Sequence, residues 1–422
     1  ECVKLAVAEA KAHGYEDLND VIAAGKTLKA GDKVYSVCMG KTLAMFQIGE
    51  EPLENGMNIV GAHIDSPRID LKQNPLYEDN DMAMFDTHYY GGIKKYQWVA
   101  LPLALYGVVA KKDGTTVDIA IGDDHGDPVF GISDLLPHLA REQMAKTAAK
   151  IIEGEDLNLL IGSIPVKGEE KEAVKKNILA ILKEKYDIEE DDFISAELEV
   201  VPAGAARDYG FDRSMIMGYG HDDRVCAYPS YKAMFELGSV KRTAVCLLVD
   251  KEEIGSVGAT GMTSFYFENT VAEVINACGD YSDIKVRRAL NNSRMLSSDV
   301  SAGFDPNYPS VMEKNNSAFL GKGLTFNKYT GSGGKSGSND ANAEYVALVR
   351  KIMDDADVTW QTAELGKVDV GGGGTIAYLM AKYGMNVIDS GVPVLSMHAP
   401  WEIISKADLY EALKGYIAFL NA

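Results

Sequence analysis

Short apolar runs that stop abruptly at histidine or acidic residues recur along this chain. The first, MNIV at 57–60, is followed by GAHIDSPR at 61–68. Such a run, bounded by polar residues, is typical of a short buried strand. Charged side chains are not expected at the end of a buried strand unless a partner or a metal ion compensates them. The fold must therefore give these charged strand ends a common environment.

His63 and Asp65 lie one residue apart directly after the first run. In an extended segment, alternate side chains point to the same face, so the two side chains are expected to project together. A metal-bound imidazole usually needs a hydrogen-bond acceptor for its other ring nitrogen, and this spacing suits such a pair. An isolated His-x-Asp is more often part of an ordinary turn. The choice between the two depends on the rest of the chain.

The composition excludes several classes of partner. The chain has 422 residues, 46% of them hydrophobic, so two or three domains with a large core are expected. Acidic residues outnumber basic ones by 62 to 42, which argues against nucleic acid and anionic membranes as partners. No apolar stretch reaches the roughly 18 residues that a membrane-spanning helix needs. A cytoplasmic protein is expected.

The five cysteines are an odd number, are widely spaced and form no Cys-x-x-Cys pair. They are expected to be reduced thiols of a cytosolic protein and not a disulfide framework or a thiolate metal site. Any metal ion would then be bound by histidine and carboxylate side chains.

Strand patterns alternate with helix patterns in both the first and the last parts of the sequence. This alternation predicts an α/β fold in which helices cover a sheet. The predicted strands are NIVGAHID (58–65), RTAVCLLVDKEE (242–253), EVINACGD (273–280) and VPVLSMHAP (392–400), and the predicted helices are GGTIAYLMAKYG (373–384) and KADLYEALKGYIAFL (406–420).

The middle third of the chain has a different pattern. Charged helical segments occur at 137–152 and 169–186, beside short strand patterns at 115–124 and 194–201. We therefore predict a smaller, β-rich α+β domain at 91–212. It is inserted into a discontinuous catalytic domain that comprises residues 1–90 and 213–422.

Four further stretches place metal-competent side chains beside apolar runs. They are HDDR at 221–224, DKEEIGSVGATG after the run at 244–249, SSDVSAGFDP at 297–306 and LSMHAP at 395–400. In α/β sheets, ligands collect beyond the carboxyl ends of the strands. The side chains expected to converge there are His63, Asp222, Glu252, Glu253, Asp299 and His398.

Each of these stretches alone has an ordinary explanation. HDDR can be a polar helix start with a capping aspartate, and DKEE can be a solvated charge run. The joint pattern of two histidines and four carboxylates at strand ends favours a pair of divalent metal ions instead. Mixed histidine and carboxylate sites accept several metals, so zinc, cobalt and manganese all remain open from the residues alone.

The motifs, in this order and around an insertion, resemble the dinuclear zinc aminopeptidases of the aspartyl aminopeptidase and vacuolar aminopeptidase I family. The stretches that carry the resemblance are GAHIDSPR, HDDR, DKEEIGSVGATG, SSDVSAGFDPNYP and LSMHAPWE. The resemblance covers nearly the whole chain. It implies a mixed-sheet zinc-exopeptidase domain with helices on both faces, and an inserted domain that serves dimerisation and substrate gating.

The resemblance also implies the metal ligands. Asp222 would bridge two metal ions. His63 and Asp299 would complete one site, and Glu253 and His398 would complete the other.

Two further carboxylates take roles from the same resemblance. Glu252 matches the general base of the family, and Asp65 matches the carboxylate that orients His63. From the residues alone, Glu252 and Glu253 are interchangeable.

Substrate-binding residues are predicted in two stretches. Relatives that prefer acidic N-terminal residues carry basic groups in a region equivalent to 323–345, where Lys328 is the candidate. The run DVGGGGTIAYL at 369–379 suggests an anion cradle of backbone N–H groups at Gly373 and Gly374, with close backbone packing as the alternative.

The resemblance further implies homo-oligomers, with dimers that build a tetrahedral dodecamer and a histidine that reaches a neighbouring active site. The matching stretch is DLLPHLA at 134–140, where Pro137 precedes His138 at the start of a helical pattern. An exposed histidine with no such role is the alternative.

The expected function is a metal-dependent aminopeptidase that releases acidic or neutral N-terminal residues from peptides. One alternative is a dinuclear amidohydrolase that acts on N-acyl amino acids. The other is a non-catalytic assembly protein of the same fold.

Overall fold

The computed structural model describes residues 1–279 and 281–422. They form two compact units. The first unit comprises Glu1–Ser66, Asp208–Met397 and Glu402–Ala422, and the second comprises Pro67–Arg207 and His398–Trp401.

The second unit begins earlier than the insertion predicted at 91–212. The strands Arg68–Asp79 and Met82–Tyr90 pair with each other, and the first of them also pairs with Ala196–Pro202. Both strands therefore belong to the sheet of the second unit. The sequence gives no break at this point, because the chain passes from GAHID into the next strand within a few residues.

The strands are numbered in chain order and have two to 12 residues each. They are β1 (Glu16–Asp17), β2 (Lys33–Cys38), β3 (Thr42–Gln47), β4 (Asn58–His63), β5 (Arg68–Asp79), β6 (Met82–Tyr90), β7 (Leu103–Ala110), β8 (Thr116–Ile121), β9 (Leu159–Gly162), β10 (Ala196–Pro202), β11 (Arg207–Tyr209), β12 (Met215–Gly218), β13 (Ala244–Val249), β14 (Arg294–Ser298), β15 (Ser301–Ala302), β16 (Leu324–Asn327), β17 (Trp360–Thr362), β18 (Asn386–Gly391), β19 (Pro393–Leu395) and β20 (Glu402–Ser405).

The helices are numbered in the same way. They are α1 (Cys2–Ala12), α2 (Leu18–Ala23), α3 (Ala173–Tyr186), α4 (His221–Phe235), α5 (Tyr266–Ala277), α6 (Asp283–Asn291), α7 (Ala343–Asp355), α8 (Ala377–Ala381) and α9 (Lys406–Leu420).

The large sheet of the first unit is mixed, as predicted, with the strand order β1-β2-β3-β13-β4-β14-β18-β16-β17. Strands β13, β4, β14 and β18 run parallel, whereas β3 and β16 run antiparallel to their central neighbours. The register places Val249 beside His63, and Ser297 beside Gly61. Strands β13, β4 and β14 therefore end side by side at one edge of the sheet.

Helices cover both faces of this sheet, which confirms the predicted α/β fold. Side chains alternate along each strand, so Val60 faces one apolar core and its neighbour Ile59 faces the other. Helices α1, α4, α7 and α9 contribute to the core that contains Val60. Helices α2, α5, α6 and α8 contribute to the core that contains Ile59.

A smaller sheet of the first unit has the order β11-β12-β20-β19-β15. Strands β12 and β20 pair antiparallel, and their register places Gly218 beside Glu402. This pairing brings the last residues of the chain before α9 next to the segment that leads into HDDR.

The second unit is built on a six-stranded sheet with the order β8-β7-β10-β5-β6-β9. Its paired neighbours all run antiparallel. Helix α3, which the pattern at 169–186 predicts, packs on β5, β6 and β9. The unit is therefore β-rich, with a helix on its sheet.

The strand predicted at 273–280 is wrong. Residues 273–277 lie in α5, and Asp280 lies outside the described residues. Phe267, Val271 and Val274 are buried on one side of this helix at spacings of four and three residues. The segment predicted as a strand begins at Glu273, after Phe267 and Val271. It was therefore too short to show the helical spacing of these buried residues.

The helix predicted at 137–152 is also wrong. This stretch contains short 3₁₀ turns at Gln143–Ala145 and Ala148–Lys150. Leu139 and Met144 are 67% and 70% exposed, and Ala140 and Ile152 are the buried apolar residues of this stretch, so few of its apolar side chains are packed within the chain. A short helix without such packing is marginal in water.

No helix among the described residues is both long enough and apolar enough to span a membrane.

Candidate metal centre

His63 is the last residue of β4, and its side chain is almost fully buried. Its Nδ1 lies 3.0 Å from the carbonyl oxygen of Asp65 and 3.3 Å from Oδ1 of the same residue. Both oxygen atoms can only accept a hydrogen bond, so Nδ1 carries a proton. The other ring nitrogen, Nε2, is then the atom available to a metal ion.

Carboxylate oxygens surround Nε2 of His63. Asp222 Oδ1 lies 3.1 Å away, and Glu252 Oε2 and Asp299 Oδ1 each lie 4.0 Å away. A lone pair on Nε2 would face three acceptors, which is unfavourable unless a proton or a cation lies among them. The hydrogen bonds with Asp222 and Asp65 outweigh burial and raise the pKa of His63 well above its usual value.

Three overlapping groups of donor atoms could each hold a metal ion. The atoms of each group lie within 4.8 Å of one another. The groups are His63, Glu252 and Asp299; His63, Asp222 and Glu253; and Asp222, Asp223 and Asp299.

Asp222 and Asp223 lie within the bounds of α4 but do not have helical geometry. Their backbone dihedral angles are not helical, and the regular helix follows them. Both side chains are buried, with exposed fractions of 3% and 0%. The sequence HDDR therefore places two carboxylates inside the unit instead of at a solvated helix start.

Asp223 is a functional candidate that the sequence did not single out. Its Oδ2 accepts the backbone N–H of His63 at 3.2 Å. Burial raises the pKa of Asp223 well above its usual value, and the charge of Asp222 adds to this shift. The adjacent aspartates of HDDR were the available signal, but sequence alone does not decide which of the two faces a metal ion.

Glu252 and Glu253 begin a 3₁₀ turn, Glu252–Ile254, shortly after β13. Their backbone N–H groups donate to the two carboxylate oxygens of Asp65, each at 3.1 Å. Asp65 itself is 5% exposed. The Asp65 side chain therefore contacts the ring of His63 and also fixes the turn that carries the two glutamates.

Asp299 follows β14 directly, and its backbone N–H donates to the carbonyl of Ser390 in β18 at 3.0 Å. Burial raises the pKa of Asp299 well above its usual value, and the negative charge of Asp223 raises it further. Like charges so close together disfavour ionisation of Asp223 and Asp299 unless a cation compensates them.

These donors fit divalent metal ions. One imidazole nitrogen and several carboxylate oxygens converge in a buried region, and histidine with carboxylate is a ligand set that zinc accepts. A cation would remove both the lone-pair conflict at His63 and the repulsion among the carboxylates. The chemistry of the donor set therefore supports a metal centre at the ends of β4, β13 and β14.

His398 belongs to the short segment that groups with the second unit. Its Nδ1 lies 2.9 Å from the carbonyl oxygen of Gly92, which can only accept, so Nδ1 carries the proton. The lone pair of the neutral ring is then on Nε2. Its predicted role as a metal ligand stays a prediction.

Lys328 is paired with an acidic neighbour. Its Nζ donates to Asp340, and Lys335 Nζ donates to the other oxygen of the same carboxylate at 2.9 Å. One carboxylate therefore holds both lysines in ion pairs, and Lys328 is one of the two.

The glycine run is packed against other backbone segments. A Cβ on Gly371 would lie 1.8 Å from the carbonyl oxygen of Leu365, and Gly372 has φ +137°. The carbonyl of Gly373 accepts the N–H of Gly331 at 2.6 Å. Helix α8 begins only at Ala377 and has five residues. These contacts favour close backbone packing over the anion cradle predicted at Gly373 and at Gly374.

His138 lies in an exposed turn at 137–140 and not at the start of a helix. The apolar residues around it, Leu135, Leu136 and Leu139, are 45%, 49% and 67% exposed. No helix terminus therefore supplies N–H donors beside this histidine.

Comparisons with known proteins agree with this site. A family model described as aminopeptidase I zinc metalloprotease (M18) matches residues 1–420. A relative from Clostridium acetobutylicum, described as a probable M18 family aminopeptidase 1, is 67% identical over 422 residues, which cover 100% of this chain and 91% of that protein.

Solved structures agree as well. The crystal structure of aminopeptidase I from Clostridium acetobutylicum has a TM-score of 0.94 and 65% sequence identity, and the match covers 100% of this chain and 91% of that one. The structure of the mApe1 dodecamer of S. cerevisiae is more distant. It has a TM-score of 0.77, 20% identity and coverage of 99% and 92%, and shares the fold.

The metal-competent cluster, the match of the family model to residues 1–420 and the 67% identical relative lead to one conclusion: the chain belongs to the M18 family of zinc aminopeptidases.

Proposed function

We propose that this zinc aminopeptidase binds two metal ions at the ends of β4, β13 and β14 and uses Glu252 as its general base. The observation that carries the proposal is the convergence of three carboxylates on Nε2 of His63. His63, Asp222 and Asp299 each occur in two of the three donor groups. Groups that overlap in this way suit two neighbouring ions better than one. When bound, such a pair polarises the scissile carbonyl and lowers the pKa of a water molecule toward neutrality.

We assign the ligands from the resemblance, because the donor groups alone also allow Glu253 beside His63 and Glu252 beside Asp299. Asp222 is the shared ligand, with His63 and Asp299 on one ion and Glu253 on the other. His398 is the remaining ligand by resemblance. Zinc is the proposed native metal, and cobalt or manganese would be accepted by the same ligand types.

Glu252 is better placed than Glu253 to act as the base. The side chain of Glu252 is 17% exposed, so a water molecule can reach it, whereas Oε1 of Glu253 is buried. In the proposed reaction, Glu252 accepts a proton from the attacking water, whose oxygen bonds to the peptide carbonyl carbon. The carbon–nitrogen bond then breaks, and Glu252 passes the proton to the leaving amine.

Asp65 contacts two parts of the site, the ring of His63 and the turn that carries Glu252 and Glu253. It contacts the ring of His63 through its carbonyl and carboxylate oxygens, and it accepts the N–H groups of Glu252 and Glu253. We infer that this carboxylate sets both the orientation of the histidine and the position of the base.

The proposed preference for the N-terminal residue rests on the ion pair of Lys328. Asp340 holds this lysine within the chain, which makes its Nζ less available to an acidic substrate side chain. We therefore propose a preference for neutral over acidic N-terminal residues.

Oligomer formation is supported by the exposed leucines at 135–139, which a second subunit would cover. The fold is shared with a protein whose structure is a dodecamer. We propose that this chain forms at least a dimer through its second unit, in assemblies up to a dodecamer. In these assemblies His138 donates a hydrogen bond in the active site of a neighbouring subunit.

A panel of aminoacyl chromogenic substrates tests the proposed specificity. With zinc-loaded enzyme, kcat/KM for leucyl and alanyl substrates should exceed that for aspartyl and glutamyl substrates. Because Lys328 is held in an ion pair with Asp340, replacing Lys328 by Met should leave this order unchanged. Faster release of aspartate or glutamate, lost in Lys328→Met, would contradict the proposal.

Replacement of Glu252 by Gln should reduce kcat by about 10²–10⁴-fold, because the general base is lost. Two zinc ions per subunit should remain, measured by elemental analysis of the purified variant. Glu253→Gln is the matched control and should lower the zinc content as well. Loss of zinc in Glu252→Gln, with full zinc in Glu253→Gln, would reverse the two assignments.

Replacement of Asp65 by Asn should lower zinc affinity or activity by about 10–100-fold. The two N–H groups of Glu252 and Glu253 donate to different oxygens of Asp65, and in the variant an NH₂ donor replaces one of these acceptors. Zinc titration and steady-state kinetics measure the two effects, with Asp32→Asn as a control outside the site. If Asp65→Asn matches the wild type in both, Asp65 is only a turn residue.

Complementation tests the role of His138 across subunits. Glu252→Gln and His138→Ala are each expected to be nearly inactive alone, and mixing them with subunit exchange should restore part of the activity. A mixed assembly contains sites that combine an intact Glu252 with a donated His138. Mixing Glu252→Gln with Asp222→Asn is the control and should restore nothing. No recovery in the first mixture, or full activity of a monomer, would rule out the role of His138.

A further inference from the structure

The backbone of Asp222 departs from helical geometry, although the residue lies within the bounds of α4. Its dihedral angles, φ −79° and ψ 103°, lie outside the helical range, so its N–H and carbonyl oxygen do not point as they would in a regular helix. The residue is buried, and buried backbone polar groups need partners. Both partners are side chains from distant parts of the chain.

Glu402 accepts the N–H of Asp222. The distance from the nitrogen of Asp222 to Oε2 of Glu402 is 3.1 Å, and Glu402 is 1% exposed. The pairing of β20 with β12 places Glu402 beside Gly218, four residues before Asp222. Glu402 is the final residue of LSMHAPWE, and nothing in the proposed reaction uses it.

Ser66 donates to the carbonyl oxygen of Asp222. Its Oγ lies 2.7 Å from this oxygen, and the residue is 1% exposed. A Cβ built on Gly220 would lie 3.0 Å from the same Oγ, so a larger residue at this position would crowd the hydroxyl. Ser66 belongs to GAHIDSPR, and the proposed reaction does not use it either.

We propose that Ser66 and Glu402 are positioning residues that hold the peptide groups of Asp222 from both sides and so aim its carboxylate at the metal ions. The proposal rests on the proposed role of Asp222 as the shared ligand. Neither residue needs to touch a metal ion, because the direction of a side chain follows from the conformation of its backbone. Hereafter the two contacts are called the Asp222 clamp.

The Asp222 clamp explains why two polar residues are buried in otherwise unrelated motifs. Without Glu402, the backbone N–H of Asp222 would lose this acceptor while it is buried beside several carboxylates. The backbone at Asp222 would then shift toward another acceptor. A shift at Asp222 affects two of the three donor groups at once. Losses of hydrogen bonds that orient a metal ligand commonly cost about 10–100-fold in metal affinity.

Zinc affinity of the metal-depleted full-length chain tests the Asp222 clamp. Glu402→Leu has a similar volume but no acceptor and should bind zinc about 10–100-fold more weakly. Glu402→Gln keeps a carbonyl acceptor and should bind zinc nearly as the wild type does. Affinities are measured by competition with a chromogenic chelator, and circular dichroism verifies that each metal-free variant is folded.

Ser66→Ala provides an independent arm if Glu402→Leu does not fold. It should also weaken zinc binding by about 10–100-fold. Ser293→Ala is the matched control, because Ser293 is equally buried and also contacts backbone groups. Its hydroxyl accepts the N–H of Met57 and donates to the carbonyl oxygen of Ala289, and neither of these residues is a proposed ligand. The control should lower the melting temperature without changing zinc affinity.

Wild-type zinc affinity in both Ser66→Ala and Glu402→Leu would overturn the proposal, as would a loss in Glu402→Gln as large as that in Glu402→Leu. The second result would mean that the charge of Glu402 matters and not its acceptor. Asp222→Asn separates this proposal from the ligand assignment. If Asp222→Asn binds zinc normally, the assignment of the ligand fails; if it does not but the clamp variants do, only the Asp222 clamp fails.

Discussion

Electrostatic repulsion among buried carboxylates is the constraint on which the first unit depends. Asp222, Asp223 and Asp299 lie with Glu252 around one buried histidine, and burial makes each negative charge costly. A chain would not retain this arrangement for stability alone, because a buried charge without compensation is strongly unfavourable. Divalent cations convert the same crowd of oxygens into a favourable coordination sphere, which is why the fold and the activity of an M18 aminopeptidase are linked at this point.

Much of the surrounding structure serves to hold backbone groups in place. Asp65 accepts two N–H groups of the turn that carries Glu252, while Ser66 and Glu402 satisfy the peptide groups of Asp222. Asp223 accepts the N–H of His63. The three parallel strands bring the ligands near each other, and these side chains fix their directions.

The sequence was sufficient for the parts of the fold and site that depend on local pattern. Apolar runs located the central strands, and the charged residues after them identified His63, Asp222, Glu252 and Asp299 as neighbours. The role of Asp223 and the packing of the glycine run depend on backbone geometry that no spacing encodes. The stretch around His138 has a helical pattern but few buried apolar side chains, so periodicity predicted a helix that the chain does not form.

Anomalous diffraction at the zinc absorption edge, from crystals of the zinc-loaded enzyme, tests the central claim most directly. We predict two peaks per subunit, about 3.5–4 Å apart, with the carboxylate of Asp222 between them. One peak should lie against Nε2 of His63 and Asp299, and the other against Glu253. A single peak, or peaks that leave Asp222 outside the coordination sphere, would contradict the account.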